Sequence, residues 1–216
     1  MERQRRDYRV VPKKKPFYEC VKRLFDVWFS ITLLLLLAPL FLVVILLVRS
    51  DGGPAFYCQT RLGKDGKPFR LLKFRSMIVN ADSPEMLEKV KALNEQDGPA
   101  FKSRNDPRIT KIGRFIRKMS IDELPQLINI LRNEMSVVGP RPPLEAEVEG
   151  YDDYQKQRLG VKQGLTCFWQ CSGRNNLNFA EWVELDLDYI EQRSVWTDFK
   201  ILLKTVPAVL TGEGAS

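Results

Sequence analysis

The longest apolar stretch of the sequence runs from Val27 to Val48 and contains no ionisable residue. As a helix, its about 22 residues would reach roughly 33 Å, which is enough to cross the core of a bilayer. Pro39 lies near the middle, where a proline removes a backbone hydrogen bond and kinks a helix. Two alternatives follow: a single spanning helix, or a helix broken at Ala38–Pro39 that enters and leaves by the same face. Basic residues flank both ends, and the positive-inside rule places both ends on the cytoplasmic side: Lys22 and Arg23 before the run, and Arg49, Arg61 and Lys64 after it.

The segment from Ala55 to Met77 has the pattern of a β-hairpin, with its turn near Asp65-Gly66. In the returning strand, Lys73 and Arg75 alternate with apolar neighbours, so both side chains are expected on one face. That face is either solvated or part of a binding site.

Helical periodicity accounts for most of the remaining sequence, and the predicted fold class is α+β and mostly helical. The tail at 196–210 is apolar on one side, and it is either a helix on a membrane surface or a core helix that ends at Pro207. The other predicted helices are Ser83 to about Gln96 with Pro84 in its first turn, Ile109 to Met119, 144–163, and Trp182 to Tyr189.

The segment Met119–Asn129 places two adjacent carboxylates, Asp122 and Glu123, in the first turn of a predicted helix. Ser120 and Glu123 have the spacing of a capping box, so the plain interpretation is a helix cap. A helix N-terminus also favours bound phosphate, and it would keep Asp122 ionised as a carboxylate nucleophile requires. Adjacent acids with basic residues nearby suit Mg²⁺-assisted chemistry at a phosphate.

The run Gly-Pro-Arg-Pro-Pro at 139–143 can form neither regular helix nor regular sheet. It predicts a rigid loop that displays Arg141. A guanidinium held in this way suits bidentate phosphate recognition. The alternative is a rigid turn with a solvated arginine.

The amino-acid composition limits the possible partners and catalytic mechanisms. The sequence has 34 Lys and Arg against 27 Asp and Glu, and a formal net charge of +7, which suits an anionic partner. It has no histidine, which excludes Ser-His-Asp and Cys-His catalysis and His-ligated metals.

The polar and basic residues 1–16 predict a mobile juxtamembrane arm. The cysteines form no CxxC pair and are predicted to be free thiols: Cys20, Cys58, Cys167 and Cys171.

Four motifs follow one another along the chain: Lys-Phe-Arg-Ser-Met at 73–77, Asn-Asp-Pro-Arg-Ile-Thr at 105–110, Ser-Ile-Asp-Glu-Leu-Pro-Gln-Leu at 120–127 and Val-Gly-Pro-Arg-Pro at 138–142. In these motifs and their order, the chain from about Arg23 to Gly214 resembles the bacterial monotopic phosphoglycosyl transferases, which are undecaprenyl-phosphate sugar-phosphate transferases. Two departures are Ala38, where a Ser is common before the proline, and Cys171, where a Val is frequent.

The resemblance implies an enzyme that moves a sugar 1-phosphate from a UDP-sugar to a polyprenyl phosphate, releases UMP and starts a surface glycan. The family's acidic pair matches Asp122, the nucleophile that forms a covalent phosphosugar intermediate, and Glu123. Mg²⁺ is the expected cofactor, with both carboxylates as its ligands. The candidates for holding substrate phosphates are Lys73, Arg75, Lys118, Arg141 and Arg174.

The resemblance also implies a re-entrant membrane helix at 23–50, broken near Pro39. A basic arm at 1–22 would precede it, and a catalytic domain with an interfacial C-terminal helix would follow at 51–216. The expected location is the cytoplasmic face of the bacterial inner membrane. The expected partners are a UDP-sugar, polyprenyl phosphate and membrane lipid, with no nucleic acid and with a homodimer left open.

Larger family members carry extra N-terminal membrane helices, so this chain is expected to be a small member or a catalytic domain. The rival hypothesis is a non-catalytic, basic, membrane-anchored protein that binds anionic lipid or nucleic acid. It leaves the clustered acids and the Gly-Pro-Arg-Pro loop without a purpose.

Overall fold

The computed structural model describes residues 8–91, 93, 103, 106–171 and 177–211. In these residues the chain is mostly helical, with two small two-stranded sheets, in agreement with the predicted α+β class. All four cysteines are free thiols.

The apolar run forms two helices, α1 (Pro16–Leu36) and α2 (Ala38–Arg49), which are bent by 64° at Leu37. The predicted break is confirmed. Pro39 lies in the first turn of α2, where its missing N–H has no helical acceptor to lose. Among the described residues no unbroken helix has the length and apolarity of a membrane span, and only the bent pair together reaches them. Helix α1 begins well before residue 23, where the membrane segment was predicted to begin.

The predicted hairpin is present as β1 (Phe56–Leu62) and β2 (Pro68–Phe74), which pair in antiparallel register. Its turn contains Asp65 and Gly66, both with positive φ. At the end of β2, Phe74 is buried against Val44 and Val48 of α2. The hairpin is therefore packed directly on the second half of the bent pair.

The later helices agree with the predicted ones in kind, with differences at their ends, except that 144–163 contains two short helices instead of one, and two short strands were not predicted. The C-terminal helix continues through Pro207, so the alternative of a helix that ends there was wrong: a proline removes one backbone hydrogen bond without necessarily ending a helix. The first helix after the hairpin is described only to Lys91. The elements are α3 (Pro84–Lys91), α4 (Lys111–Lys118), α5 (Gln126–Leu131), β3 (Ser136–Val138), α6 (Glu145–Glu149), α7 (Asp153–Lys156), β4 (Gly164–Thr166), α8 (Phe179–Gln192) and α9 (Val195–Thr211).

Polar side chains of α1 hold elements of the main core together. Arg23 donates to the carbonyl oxygens of Ile130 (2.6 Å) and Leu131 (2.9 Å) at the C-terminus of α5. The buried carboxylate of Asp26 accepts from the main-chain N of Val137 (2.9 Å) in β3. Helix α1 therefore fixes two elements that follow the acidic pair in the chain.

The described part of the predicted mobile arm, residues 8–15, is bound to the folded body. Val10 is 3% exposed, and its main-chain N donates to Oε1 of Gln157 at 2.5 Å. Lys15 donates to the carbonyl of Arg193 (2.7 Å), and Arg193 donates to the carbonyl of Lys13 (2.5 Å). For these residues the prediction of a mobile arm was wrong, because the arm makes buried and reciprocal hydrogen bonds.

Candidate active site

The acidic pair lies in a single 3₁₀ turn, Ile121–Glu123, between α4 and α5. Ser120 precedes the turn with φ of 54°, in the left-handed region that residues other than glycine rarely adopt. The predicted capping box at Ser120 was wrong, because its side chain makes no capping hydrogen bond. A capping side chain needs an extended backbone at its own position, and the sharp turn after α4 removes that conformation.

Glu123 is held by two cations from distant parts of the chain. Its Oε1 accepts from Nζ of Lys73 in β2 at 2.9 Å and from the guanidinium of Arg141 at 3.2 Å. Burial alone would raise the pKa of Glu123, but these two positive charges outweigh it and hold the pKa well below its ordinary value. Glu123 is therefore an anion throughout the physiological pH range.

Asp122 has the opposite environment. It is 7% exposed and accepts no hydrogen bond from the described residues. Burial raises its pKa to about 6; the charge of Lys73 opposes that rise and the charge of Glu123 adds to it. The helix N-terminus was expected to keep Asp122 ionised, but burial outweighs any such effect and raises the pKa. At pH 7 the group is still mostly ionised, and its charge is poorly compensated, as suits a nucleophile.

Asn129, buried in α5, explains why Lys73 faces the acidic turn. Its side-chain amide donates to the carbonyl of Arg70 (2.8 Å) and accepts from the main-chain N of Leu72 (3.0 Å). These bonds attach β2 to α5 along the strand edge that does not pair with β1. Strand β2 and the turn before α5 are thereby held in one arrangement.

The loop that carries Arg141 is rigid, as predicted. Strands β3 and β4 pair in parallel, and the loop continues the pairing through Gly139 N to the carbonyl of Thr166 at 2.9 Å. A Cβ on Gly164 would lie 2.1 Å from the main-chain N of Gly139, so only glycine fits there. On the other side, the carbonyl of Arg141 accepts from Arg158 at 3.4 Å. The guanidinium of Arg141 is thus delivered to Glu123 by a backbone with little freedom.

A cleft opens beside this group of charges. Sequence reasoning had counted Arg61 only among the basic residues that follow the apolar run, because nothing local connects β1 to the loop at 139–143. The cleft is lined by Arg61, Leu71, Lys73, Glu123, Gln126, Arg141, Pro142, Gly164 and Leu165.

The structure does not bring two other predicted phosphate ligands, Arg75 and Lys118, to the acidic pair. The guanidinium of Arg75 is 7% exposed and closes the end of α2, where it donates to the carbonyl of Val48 (2.8 Å) and pairs with Asp51 (2.5 Å). Lys118 is exposed at the end of α4. Its neighbour Arg117 is the residue of that helix whose charge lowers the pKa of Asp122.

Arg174 lies outside the described residues. For Arg75, Lys118 and Arg174, binding of a substrate phosphate stays a prediction.

The carboxylates suit a Mg²⁺ ion that is shared with a substrate. Asp122 offers oxygens that accept no hydrogen bond, and Glu123 uses Oε1 for both of its cations. In the part of the chain that is described, no group of three or more metal-binding side chains occurs. Mg²⁺ is commonly held by one or two carboxylates together with substrate phosphates, so this donor set fits the ion.

Comparison with known proteins gives a consistent match. The sequence model of the bacterial sugar transferase family matches residues 17–212. The chain is 46% identical over 202 residues to the UDP-galactose-lipid carrier transferase of Erwinia amylovora, covering 90% of this chain. It is 45% identical over 206 residues to the exopolysaccharide production protein ExoY of Rhizobium meliloti, covering 93% of this chain. It is also 45% identical over 202 residues to the undecaprenyl-phosphate galactose phosphotransferase of Salmonella typhimurium, covering 90% of this chain.

These relatives differ in length. The matched region is 41% of the Erwinia protein and 41% of the Salmonella protein, but 90% of ExoY. The chain therefore spans less than half of some of the curated relatives that it matches and most of another.

Proposed function

Since this chain belongs to the bacterial sugar transferase family, we propose that it transfers a sugar 1-phosphate from a UDP-sugar to undecaprenyl phosphate or a similar polyprenyl phosphate. The names of two relatives, a UDP-galactose-lipid carrier transferase and an undecaprenyl-phosphate galactose phosphotransferase, support a UDP-sugar as donor and a lipid carrier phosphate as acceptor. The second product is UMP, and the lipid-linked sugar would begin a surface glycan.

The contrast between the two carboxylates carries the proposal. Asp122 is buried and no described residue donates a hydrogen bond to it, whereas Glu123 is held firmly as an anion by Lys73 and Arg141. One carboxylate is left available for reaction, and the other keeps two cations in place beside it. Phosphoryl transfer depends mainly on this kind of positioning and charge neutralisation.

In the proposed reaction, a carboxylate oxygen of Asp122 attacks the phosphorus attached to the sugar. The bond from that phosphorus to the oxygen of UMP breaks, and UMP leaves with the bonding electron pair. An oxygen of the polyprenyl phosphate then attacks the same phosphorus and restores the free carboxylate of Asp122. Each step forms one P–O bond and breaks one.

Lys73 and Arg141 would stabilise the negative charge that moves from the nucleophile to the leaving phosphate. Mg²⁺, when bound, would add charge neutralisation at the diphosphate of the donor. Glu123 positions the two basic side chains, because its Oε1 lies within hydrogen-bond distance of both.

We also propose that α1 and α2 together form a re-entrant membrane element on the cytoplasmic face of the inner membrane. Many large apolar side chains of the bent pair are exposed, which a membrane would cover: Leu24, Trp28, Ile31, Leu35, Leu36, Leu42, Val43, Leu46 and Leu47. Cysteines introduced one at a time before Lys22 and after Arg49, in a cysteine-free background, should react from the same side of the membrane. Reaction from opposite sides would mean a single spanning element instead.

The reaction is tested by UMP release from purified protein supplied with Mg²⁺, polyprenyl phosphate and a panel of UDP-sugars. Wild-type protein should release UMP with one or a few donors, and Asp122→Asn should release none. With the donor alone, intact-mass measurement should find one phosphosugar on the wild type and none on the variant. Absence of UMP release from folded wild-type protein with every donor would overturn the proposal.

A further inference from the structure

Arg61 of β1 lines the cleft together with Lys73, Glu123 and Arg141. Its guanidinium donates to the carbonyl of Pro142 at 3.2 Å and to Oε1 of Gln59 at 2.8 Å. Both acceptors are neutral. Arg61 therefore lines the site without belonging to the ion pairs that Glu123 makes with Lys73 and Arg141.

The positive charge of Arg61 has no direct counter-ion in the described part of the chain. No carboxylate oxygen there lies within 4.0 Å of its guanidinium, and its buried Nε–H has no hydrogen-bond partner. Burial, reinforced by the like charge of Arg141, lowers the pKa of Arg61 to about 10, and the more distant Glu147 and Glu123 offset this only in part. A buried guanidinium beside another is costly unless an anion binds between them.

We propose that Arg61 binds a substrate phosphate in the cleft with its guanidinium, as a third cation beside Lys73 and Arg141. The identity of the substrate rests on the proposed function, but the anion site rests only on the three positive charges that line the cleft and on the missing counter-ion of Arg61 among the described residues. Two sources share this chemistry, the diphosphate of a nucleotide donor and the phosphate of a polyprenyl acceptor.

Arg61 also braces the loop that carries Arg141. Its bond to Pro142 lies next to a main-chain bond from Leu62 N to the carbonyl of Pro143 at 3.0 Å. A residue that acts only as a brace would change stability and the turnover number. It would not change how much more tightly a phosphorylated ligand binds than the same ligand without phosphate, so this ratio of affinities is the quantity to measure.

The test measures binding of uridine, UMP and UDP to purified wild-type protein and to Arg61→Gln. In wild type, UMP and UDP should bind more tightly than uridine. Arg61→Gln should reduce this preference by about 10- to 100-fold, the value of a hydrogen bond to a charged group, and leave uridine binding unchanged. The matched control is Arg70→Gln, which removes an exposed arginine from the other strand of the same hairpin and should keep the wild-type preference.

Steady-state kinetics then identify the phosphate. A higher KM for the UDP-sugar alone assigns Arg61 to the donor, and a higher KM for polyprenyl phosphate alone assigns it to the acceptor. If Arg61→Gln keeps the wild-type preference for UMP and both KM values within about twofold, the inference is wrong. Should Arg61→Gln not fold, Arg61→Lys replaces it; it keeps the charge, loses the planar donor group, and should show a loss of about tenfold.

Failure of the two proposals can be told apart. Wild-type protein that releases no UMP, but whose preference for UMP over uridine requires Arg61, would refute the transfer reaction and keep the anion site. Normal UMP release that is insensitive to Arg61→Gln would keep the transfer reaction and refute the anion site at Arg61.

Discussion

Two regions of the molecule bury opposite charges but satisfy them differently: the dyad cleft, which is the cleft lined by Arg61, Lys73, Glu123 and Arg141 together with the adjacent Asp122, and the Asp106–Arg108 pair. Asp106 and Arg108 are 3% and 5% exposed. The carboxylate of Asp106 accepts from the main-chain N (2.9 Å), Nε (2.9 Å) and a terminal nitrogen (2.6 Å) of Arg108. Burial alone would raise the pKa of Asp106, but these hydrogen bonds outweigh it and lower the pKa. The two charges compensate each other, and Arg108 also donates to the carbonyl of Ala81 at 3.3 Å, so we call these two residues the saturated pair.

In the dyad cleft the same kinds of group are left short of partners. Asp122 accepts no hydrogen bond from the described residues, and the Nε–H of Arg61 has no acceptor. Charges that saturate one another hold a fold together, whereas buried charges without full partners mark a place where a ligand completes the set. The comparison predicts that changes in the cleft act on reaction and binding, and that changes in the saturated pair act on stability.

The largest expected effect is on turnover. Asp122→Asn should lower kcat by at least about 10³-fold, because it removes the nucleophile and almost no volume. Asp106→Asn, the same chemical change in the saturated pair, should keep near wild-type activity per folded molecule. The measurement is UMP release normalised to folded protein. Equal losses in the two variants would remove the distinction between the two regions.

The second expected effect is on stability, and here the larger effect comes from the saturated pair and not from the dyad cleft. Asp106→Ala should lower the free energy of unfolding by about 3–5 kcal/mol, because it removes the carboxylate that pairs with the buried Arg108 guanidinium. Denaturant unfolding followed by tryptophan fluorescence measures it, with the exposed-site change Arg70→Gln as the control. A loss of less than about 1 kcal/mol would mean that Asp106 and Arg108 are not a stabilising pair.

The third prediction concerns pH, and its sign follows from the raised pKa of Asp122. The folded state prefers the protonated form, so this group favours folding at about pH 4 and loses that contribution as the pH rises through 6. Asp122→Asn should therefore match wild type near pH 4 and be more stable above pH 6 by on the order of 1–3 kcal/mol. A variant less stable than wild type at pH 7 would contradict the poorly compensated environment of Asp122.

The smallest expected effect is a shift in the acid limb of the pH–rate profile. The charges of Lys73, Arg117 and Arg141 lower the pKa of Asp122, and that of Glu123 raises it. Lys73→Gln should move the limb to higher pH by at least a few tenths of a unit. Lys67→Gln, at an exposed position beside the hairpin turn, should leave it in place. An unmoved limb in Lys73→Gln would show that the limb does not report Asp122.

Local sequence patterns were sufficient to predict the structure of several parts of the molecule. The apolar run with Pro39 near its middle predicted a broken helix, and Asp65-Gly66 predicted the hairpin turn, because both depend on backbone properties of neighbouring residues. The order of the motifs predicted the family, and the prolines around Arg141 predicted a rigid loop. Where local rules compete, the prediction was wrong: Ser120 has the residue type of a cap but the backbone of a left-handed turn.

The sequence by itself therefore determined the bent helix pair, the hairpin, most of the helices and the identity of the two adjacent carboxylates, but not the parallel strands β3 and β4. Only the tertiary structure decided the burial, the partners and the electrostatic environment of those carboxylates. Lys73 and Arg141 reach Glu123 across 50 and 18 positions of sequence, and Arg75 binds the end of α2 rather than the acidic turn. Arg61 enters the cleft through a contact 81 positions away. Local propensity is a property of a few neighbouring residues, whereas burial and the electrostatic field at Asp122 are sums over everything that packs around it.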